Sequence, residues 1–201
     1  IPIIQHPDVR RLLFSQKALV EGGLSLIIKA AKCYDLGHHA ETPEEREKYT
    51  LLLEILTPIT KSFPCEAGLR VTSDALQCYG GYGFTEDFPA EQYYGDIRIT
   101  PIYEGTTAIH SQDLLGRKVS MANGAAITHL SNEIIDTITA ASKSEKLAPY
   151  AVKLSAELKA YNKTLQHLFS IAQTGDTERY LSDAALFLEL TSTIVVAWQW
   201  L

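Results

Sequence analysis

Apolar residues recur along this chain at helical spacing and almost never alternate. In the opening segment Val9, Leu12, Leu13, Val20, Leu24, Ile27, Ile28 and Ala31 keep that spacing for about six turns, which predicts a long amphipathic helix. Gly22 and Gly23 either weaken it or mark close helix packing. Residues 37–43 read as a connector. Pro43 suits a first helical position, with Thr42 as cap and Glu44 and Glu45 at the positive end of the helix dipole. Leu52, Leu56, Ile59 and Phe63 continue a second helix, in which Pro58 and Pro64 are expected to kink or interrupt the chain. From about Gly68 to Tyr79 the helical pattern returns, and it stops at the cluster Gly80-Gly81-Tyr82-Gly83.

Residues 85–100 read as loop with little regular structure. Thr106 or Thr107 can cap a helix running to about Ser120, and Asn123-Gly124 marks a break. Three cleaner amphipathic helices follow. One is carried by Ile127, Leu130, Ile134 and Ile138. The next is carried by Ala151, Leu154, Leu158, Tyr161, Leu165, Leu168 and Ala172, and the last by Leu181, Ala185, Leu188, Val195 and Trp198. Thr174-Gly175-Asp176 separates the final two. No strand pattern competes. The expectation is an all-α fold, an up-down helical bundle over 1–121 followed by a helical extension over 122–201.

With 201 residues, 46% of them hydrophobic and 21% charged, the chain has the make-up of a globular protein able to bury a core. The formal net charge of −6 argues against unaided nucleic-acid binding and against a basic membrane-surface patch. No run approaches the ~18 apolar residues of a membrane span, and no signal-peptide pattern opens the chain. Cys33, Cys65 and Cys78 form no Cys-x-x-Cys pair, which points to a reduced intracellular chain. The expected location is cytoplasmic, or the mitochondrial matrix in a eukaryote. Ile1 in place of Met, and the apolar ending Ala197-Trp198-Gln199-Trp200-Leu201, predict that both ends are cuts in a longer polypeptide.

Most of the chemical information lies between Gln77 and Lys118. One glycine would suffice to cap a helix C-terminus. Three in four positions (Gly80, Gly81, Gly83) suggest backbone passing close to a phosphate or another subunit. A helix precedes them, so they are no dinucleotide fingerprint. Glu104 stands alone at the mouth of the next helix, between Tyr103 and Gly105. A lone glutamate is usually a solvated charge, but here the helix dipole and an apolar pocket would act on its ionisation in opposite directions, as a general base requires.

Gln77 to Phe84 together with Tyr103 to Thr107 resemble the C-terminal flavin and active-site motifs of the acyl-CoA dehydrogenases. The resemblance covers roughly Ile4 to Val119. The segments His6 to Arg11, Leu56 to Lys61 and Asp113 to Lys118 are similar to a longer subgroup that carries an extra helical segment, which accounts for residues from about Asn123 on. The resemblance implies FAD as cofactor and oxidation of an acyl-CoA thioester to the trans-2-enoyl-CoA. Glu104 would be the catalytic base, and its backbone N–H would help hold the thioester carbonyl. Gln77, Gly80 and Gly81 would contact the FAD of a neighbouring subunit, and Thr106 would contact the flavin beside the base. Tyr103 and Gly105 would lie against the substrate. Electron-transfer flavoprotein is the implied electron acceptor, and a homodimer or homotetramer the implied assembly of the whole enzyme.

Gly95 stands where the family usually has Arg, which is expected to remove an ion pair. Ala108 and His110 also depart from the family pattern and are expected to alter a cofactor contact. Other readings compete. An oxidase of the same superfamily would use the same residues, and a non-catalytic helical interaction module would keep the bundle without the chemistry. Cys33, His38 and His39 match no strong zinc spacing, so no metal site is expected. His110 and Ser111 lack the Gly-x-Ser-x-Gly elbow of a hydrolase. The isolated chain is expected to bind FAD weakly and to turn over no thioester.

Overall fold

A computed structural model describes all residues, 1–201, and every regular element in it is helical. Helix α1 (Pro7–His39) and helix α2 (Pro43–Tyr79) form a long antiparallel hairpin. The Thr42 hydroxyl accepts from the Glu45 N–H at 3.2 Å, so the expected cap starts α2. Short helices α3 (Ala90–Ile97) and α4 (Thr107–Gly116) pack on α2. Then come α5 (Met121–Ala141), α6 (Ala148–Ala172), α7 (Thr177–Leu181) and α8 (Ala184–Trp200). Left-handed residues Ala122, Asn123 and Gly124 interrupt the start of α5, at the break expected there. Asp176 caps α7 by accepting from the Arg179 N–H at 3.0 Å.

Helix α8 is the centre of the packing. It touches α1, α2, α4, α5 and α6, and Phe187, Leu188, Ile194, Val195, Val196 and Trp198 are all buried. Full burial of each such side chain contributes about 1.5–3 kcal/mol. Its far end docks on α1 at Gly22, where a Cβ would meet Val196 Cγ1 at 2.6 Å and Trp200 Nε1 at 2.7 Å. The Trp200 indole N–H donates to the Ala18 carbonyl at 3.1 Å across the same contact. Of the two readings of Gly22, close packing is the one realised. One continuous core runs through both segments, from Leu26 and Leu52 to Leu158 and Val195.

Several expectations need correction. The stretch Thr177–Trp200 is long and apolar enough, by length and composition, to cross a membrane. Half of its most apolar window is buried inside the bundle, as a central helix apolar on most sides must be. It is also two helices, broken between Leu181 and Ala184, and Ala185 lies outside the core. Helix α2 runs through Pro58 and Pro64 without interruption, because packing along α1 outweighs the two lost N–H donors. Residues 85–100 contain α3, which Ala90, Glu91 and Gln92 favour and which Ile97 anchors over Gly68. Helix α4 ends at Gly116, not near Ser120. On α1 the core face is Leu12, Gly22, Leu26, Ala30 and Cys33. Most of the apolar stripe read from the sequence is exposed, including Leu13, Val20, Leu24, Ile27 and Ile28. This helix is apolar on two sides, and periodicity alone does not say which side meets the core.

A partly buried ion cluster ties the hairpin to α5. Glu133 accepts from Lys29 at 2.8 Å and from Lys48 at 2.7 Å, and Lys29 lies 5.1 Å from the centre of the Trp198 ring. Burial by itself raises the Glu133 carboxyl, but the two lysine hydrogen bonds and their charge outweigh it and leave it below its ordinary value of 4.5. The Glu133 hydrogen bond holds Lys48 above its ordinary 10.5. A lowered carboxylate stabilises the fold above its unfolded value and loses that contribution as pH falls through the folded one. A raised lysine stabilises below its unfolded value and loses that contribution as pH rises through the folded one.

Two tests follow from this packing. Gly22→Ala should cost about 1–3 kcal/mol, because α8 must move to admit the methyl; an unchanged urea midpoint would mean that the α1–α8 contact yields freely. Glu133→Gln should cost about 1–3 kcal/mol near neutrality, and the difference from wild type should shrink as pH falls below the ordinary carboxyl value of 4.5 and through the lowered one. Parallel stability curves over that range would remove the cluster from the account.

Candidate active site

The loop between α3 and α4 is built to hold one acidic residue in an uncommon conformation. Its first half is a run of tight turns, with the Thr100 N–H on the Ile97 carbonyl at 3.0 Å and the Tyr103 N–H on the Ile99 carbonyl at 3.2 Å. Glu104 then adopts φ 56° and Gly105 φ 93°. A non-glycine residue in this region is uncommon and persists where its surroundings hold it. Thr106 caps α4, its hydroxyl accepting from the Ile109 N–H at 3.3 Å, so of the two candidate caps it is Thr106 that serves. The Thr107 hydroxyl donates to Glu66 of α2 at 2.5 Å.

Two further side chains secure the loop. Lys61 Nζ donates to the Thr100 carbonyl at 2.8 Å and to the Gly105 carbonyl at 2.7 Å. It also lies 5.7 Å from the centre of the Tyr103 ring. His110 Nε2 donates to the Glu104 carbonyl at 3.1 Å. A Cβ on Gly105 would come within 2.9 Å of that same nitrogen and push the His110 ring aside, and the positive φ favours glycine there.

The arrangement leaves chemistry available. The Glu104 side chain is exposed and takes part in none of the ion pairs. The N–H groups of Glu104, Gly105 and Thr106 donate to no acceptor within the chain. Successive free N–H groups around a left-handed turn form a concavity suited to negative charge. A carboxylate and a cluster of unused donors therefore share one rigid loop. Beside it, an open cleft of about 380 Å³ is bounded by Arg98, Pro101, Ile102, Thr106 and Glu66.

Gln77 is exposed on the last turn of α2, and the Gly80 N–H closes that helix on the Gln77 carbonyl. Gly80 has φ 61°, and Gly83 is packed so that a Cβ would lie 2.9 Å from the Leu76 carbonyl oxygen. Both glycines thus have reasons inside the fold. Gly81 has none: its φ is not positive and nothing lies within 4 Å of a Cβ placed there. The structure does not bring the glycine turn to Glu104 within one chain. Glu66, beside the Glu104 loop, precedes Gly80 by fourteen residues of α2, a rise of about 21 Å.

The departures noted in the sequence also find their places. Gly95 lies exposed in α3 with open space at its Cβ position, Ala108 is exposed, and His110 makes the loop contact described above. Ser111 is buried and donates to the Ala108 carbonyl at 2.7 Å, so it does not face His110. Cys33 is buried in the core and the His38 ring bonds the Tyr34 carbonyl. Of the terminal motif Asp113 to Lys118, Lys118 is buried and paired with Glu54, with Asp113 4.0 Å away. Sequence reasoning missed Lys61 and Glu66 as parts of the site. The signal for Lys61 was its isolation as one of two charges in the otherwise apolar or neutral run from Leu51 to Pro64.

An all-helical bundle presenting a loop-borne carboxylate among free backbone donors is the class of architecture to be matched. The family model described as acyl-CoA dehydrogenase, C-terminal domain, matches residues 1–119, and one described as acetyl-CoA dehydrogenase C-terminal like matches residues 130–201. The chain belongs to the acyl-CoA dehydrogenase family. It is 40% identical over 201 residues to 3-methylmercaptopropionyl-CoA dehydrogenase of Ruegeria pomeroyi, covering 99% of this chain and 34% of that protein. It is 34% identical over 148 residues to the broad-specificity linear acyl-CoA dehydrogenase FadE5 of Mycobacterium tuberculosis, covering 73% of this chain and 24% of the relative. Caenorhabditis elegans ACDH-11, solved in complex with C11-CoA, shares the fold over 98% of this chain and 36% of its own, with a TM-score of 0.76 at 22% identity. The chain thus spans about a quarter to a third of the length of these proteins.

The glycines offer a direct test of the packing argument. Gly83→Ala should destabilise the chain by about 1–3 kcal/mol, whereas Gly81→Ala should stay within about 0.5 kcal/mol of wild type. Equal thermal midpoints for the two variants would contradict the geometry at Gly83.

Proposed function

We propose that this chain is the C-terminal part of a flavin-dependent acyl-CoA dehydrogenase, and that Glu104 is its catalytic base. The observation that carries the reading is the loop itself, where an exposed carboxylate in a left-handed turn sits beside the unused N–H groups of Glu104, Gly105 and Thr106. Removing a proton from the carbon next to a thioester puts negative charge on the thioester oxygen. The reaction therefore needs a base and hydrogen-bond donors in fixed relation, and preorganised donors are usually a large catalytic term.

In this reading the Glu104 carboxylate takes the α-proton, and its own N–H donates to the carbonyl oxygen as charge develops. Tyr103 and Gly105 flank the thioester, and Thr106 ends the loop next to the cofactor. FAD, when bound, would accept the β-hydrogen as hydride, and the product would be the trans-2-enoyl-CoA. The fit of this chain to the cofactor rests on Gly81, where the backbone is open and no contact within the chain demands glycine. The rise of about 21 Å along α2 between Glu66, which bonds the Thr107 hydroxyl beside the loop, and the glycine turn supports a site shared by two copies. Gln77, Gly80 and Gly81 of one subunit would serve the flavin beside Glu104 of another, in a homodimer or homotetramer. Electron-transfer flavoprotein is the proposed acceptor. By itself the 201-residue chain would hold FAD weakly and remain inactive.

Glu104→Gln in the full-length enzyme should lower kcat by at least about 10²–10⁴-fold, the usual worth of a positioned general base, while the purified protein stays yellow. Retention of ordinary acyl-CoA-dependent flavin bleaching in that variant would end the assignment.

A further inference from the structure

We propose that Lys61 is a positioning residue for the base: from α2 it fixes the backbone on both sides of Glu104 and so sets where the carboxylate points. The proposal rests on the reading of Glu104 as base. Lys61 carries three N–H donors. Two are directed at the carbonyls of Thr100 and Gly105, at 2.8 and 2.7 Å, so a single ammonium staples the two ends of the segment that contains Glu104. The remaining side of the ammonium is 5.7 Å from the centre of the Tyr103 ring, inside cation–π range.

No carboxylate pairs with Lys61, although the side chain is half-buried. Its desolvation is offset by charge-assisted bonds to loop carbonyls. The loop needs such a hold, because Glu104 at φ 56° sits in a region that non-glycine residues keep only under constraint. His110 supplies the second grip through the Glu104 carbonyl. Helix α2, by contrast, does not need Lys61. Its core residues are Leu52, Ile55, Leu56 and Ile59, so losing the ammonium should free the loop and leave the bundle standing.

The test has two arms. In the 201-residue chain, Lys61→Met keeps the apolar stem and removes the donors. Hydrogen exchange at the Tyr103 and Thr107 amides, which are bonded to the Ile99 and Pro101 carbonyls, should quicken by roughly tenfold or more, with 52–59 unchanged. In the full-length flavoenzyme the same variant should lose on the order of 100-fold in kcat, as a misplaced catalytic group does, with KM and flavin absorbance little altered. Lys61→Arg keeps the charge in a planar fork and should recover only part of the loss. Unchanged exchange at the Tyr103 and Thr107 amides, or exchange rising equally across α2, would each overturn the positioning role. Glu104→Gln measured alongside separates the two claims. An active Glu104→Gln enzyme removes the base assignment, whereas an inactive one beside wild-type kcat in Lys61→Met removes only the positioning role.

Discussion

The burial of α8 is the constraint from which the rest of the structure follows. A helix apolar around most of its circumference cannot lie on a surface; it must be enclosed. Enclosure here takes five partners, α1, α2, α4, α5 and α6, and each is positioned by what it offers α8. Helix α1 offers Gly22, which lets Val196 and Trp200 approach its backbone. Helix α4 offers the turn containing Leu114 and Leu115, both fully buried, and Tyr180 reinforces the same end by donating to the Leu115 carbonyl at 2.6 Å. With its last turn fixed in the core, α4 has little freedom at its first turn. Its cap, Thr106, and the loop before it inherit that position. The candidate base is therefore placed by packing well removed from it in sequence.

Rigidity at the loop has a second, polar source. Hydrophobic burial is non-directional and cannot specify a left-handed turn. Directional bonds can, and here they run from side chains to backbone carbonyls: Lys61 to Thr100 and Gly105, His110 to Glu104. These carbonyls lie outside regular helix, where no i−4 ladder satisfies them. The N–H groups of Glu104, Gly105 and Thr106 are left without internal partners. Around Glu104 the carbonyls of Glu104 and Gly105 are occupied while the N–H groups of Glu104, Gly105 and Thr106 are free, an imbalance that suits a ligand whose charge becomes negative.

Much of this was legible in the sequence where local chemistry decides structure. The caps at Thr42 and Thr106, the break at Asn123-Gly124 and the end of α2 at Gly80 all follow from residue preferences that act within one turn. What was not legible depended on partners distant in sequence. Helix α1 has apolar residues on two faces, and the stripe with the more regular spacing is the exposed one, because contact with α2 and α8 selects the face bearing Gly22 and Leu26. Pro58 and Pro64 forecast an interruption that the packing of α1 along α2 prevents. Helix α3 was missed because eight residues give too short a period to read, and Ile97 over Gly68 is what holds it. The same limit hid Lys61. A lysine in an amphipathic helix reads as a solvated charge until the loop that it grips is placed over it.

The carboxylate and the glycine turn illustrate how a motif can be contiguous in sequence and divided in space. Gln77 to Phe84 and Tyr103 to Thr107 lie close together along the chain, yet the first closes α2 and the second lies beside Glu66, about 21 Å back along that helix. A long, core-anchored helix cannot fold back to join them. If both serve one reaction, the joining must come from a second copy. Such a pairing would account for Gly81, which no contact within its own chain requires to be glycine. The exposure of Glu104 fits the same logic. In the proposed reading the chain would supply a base, its donors and the staple beneath them, and the reaction would take its enclosing walls and its flavin from outside these residues. The loop keeps its shape without those walls because Lys61 and His110 secure it from within.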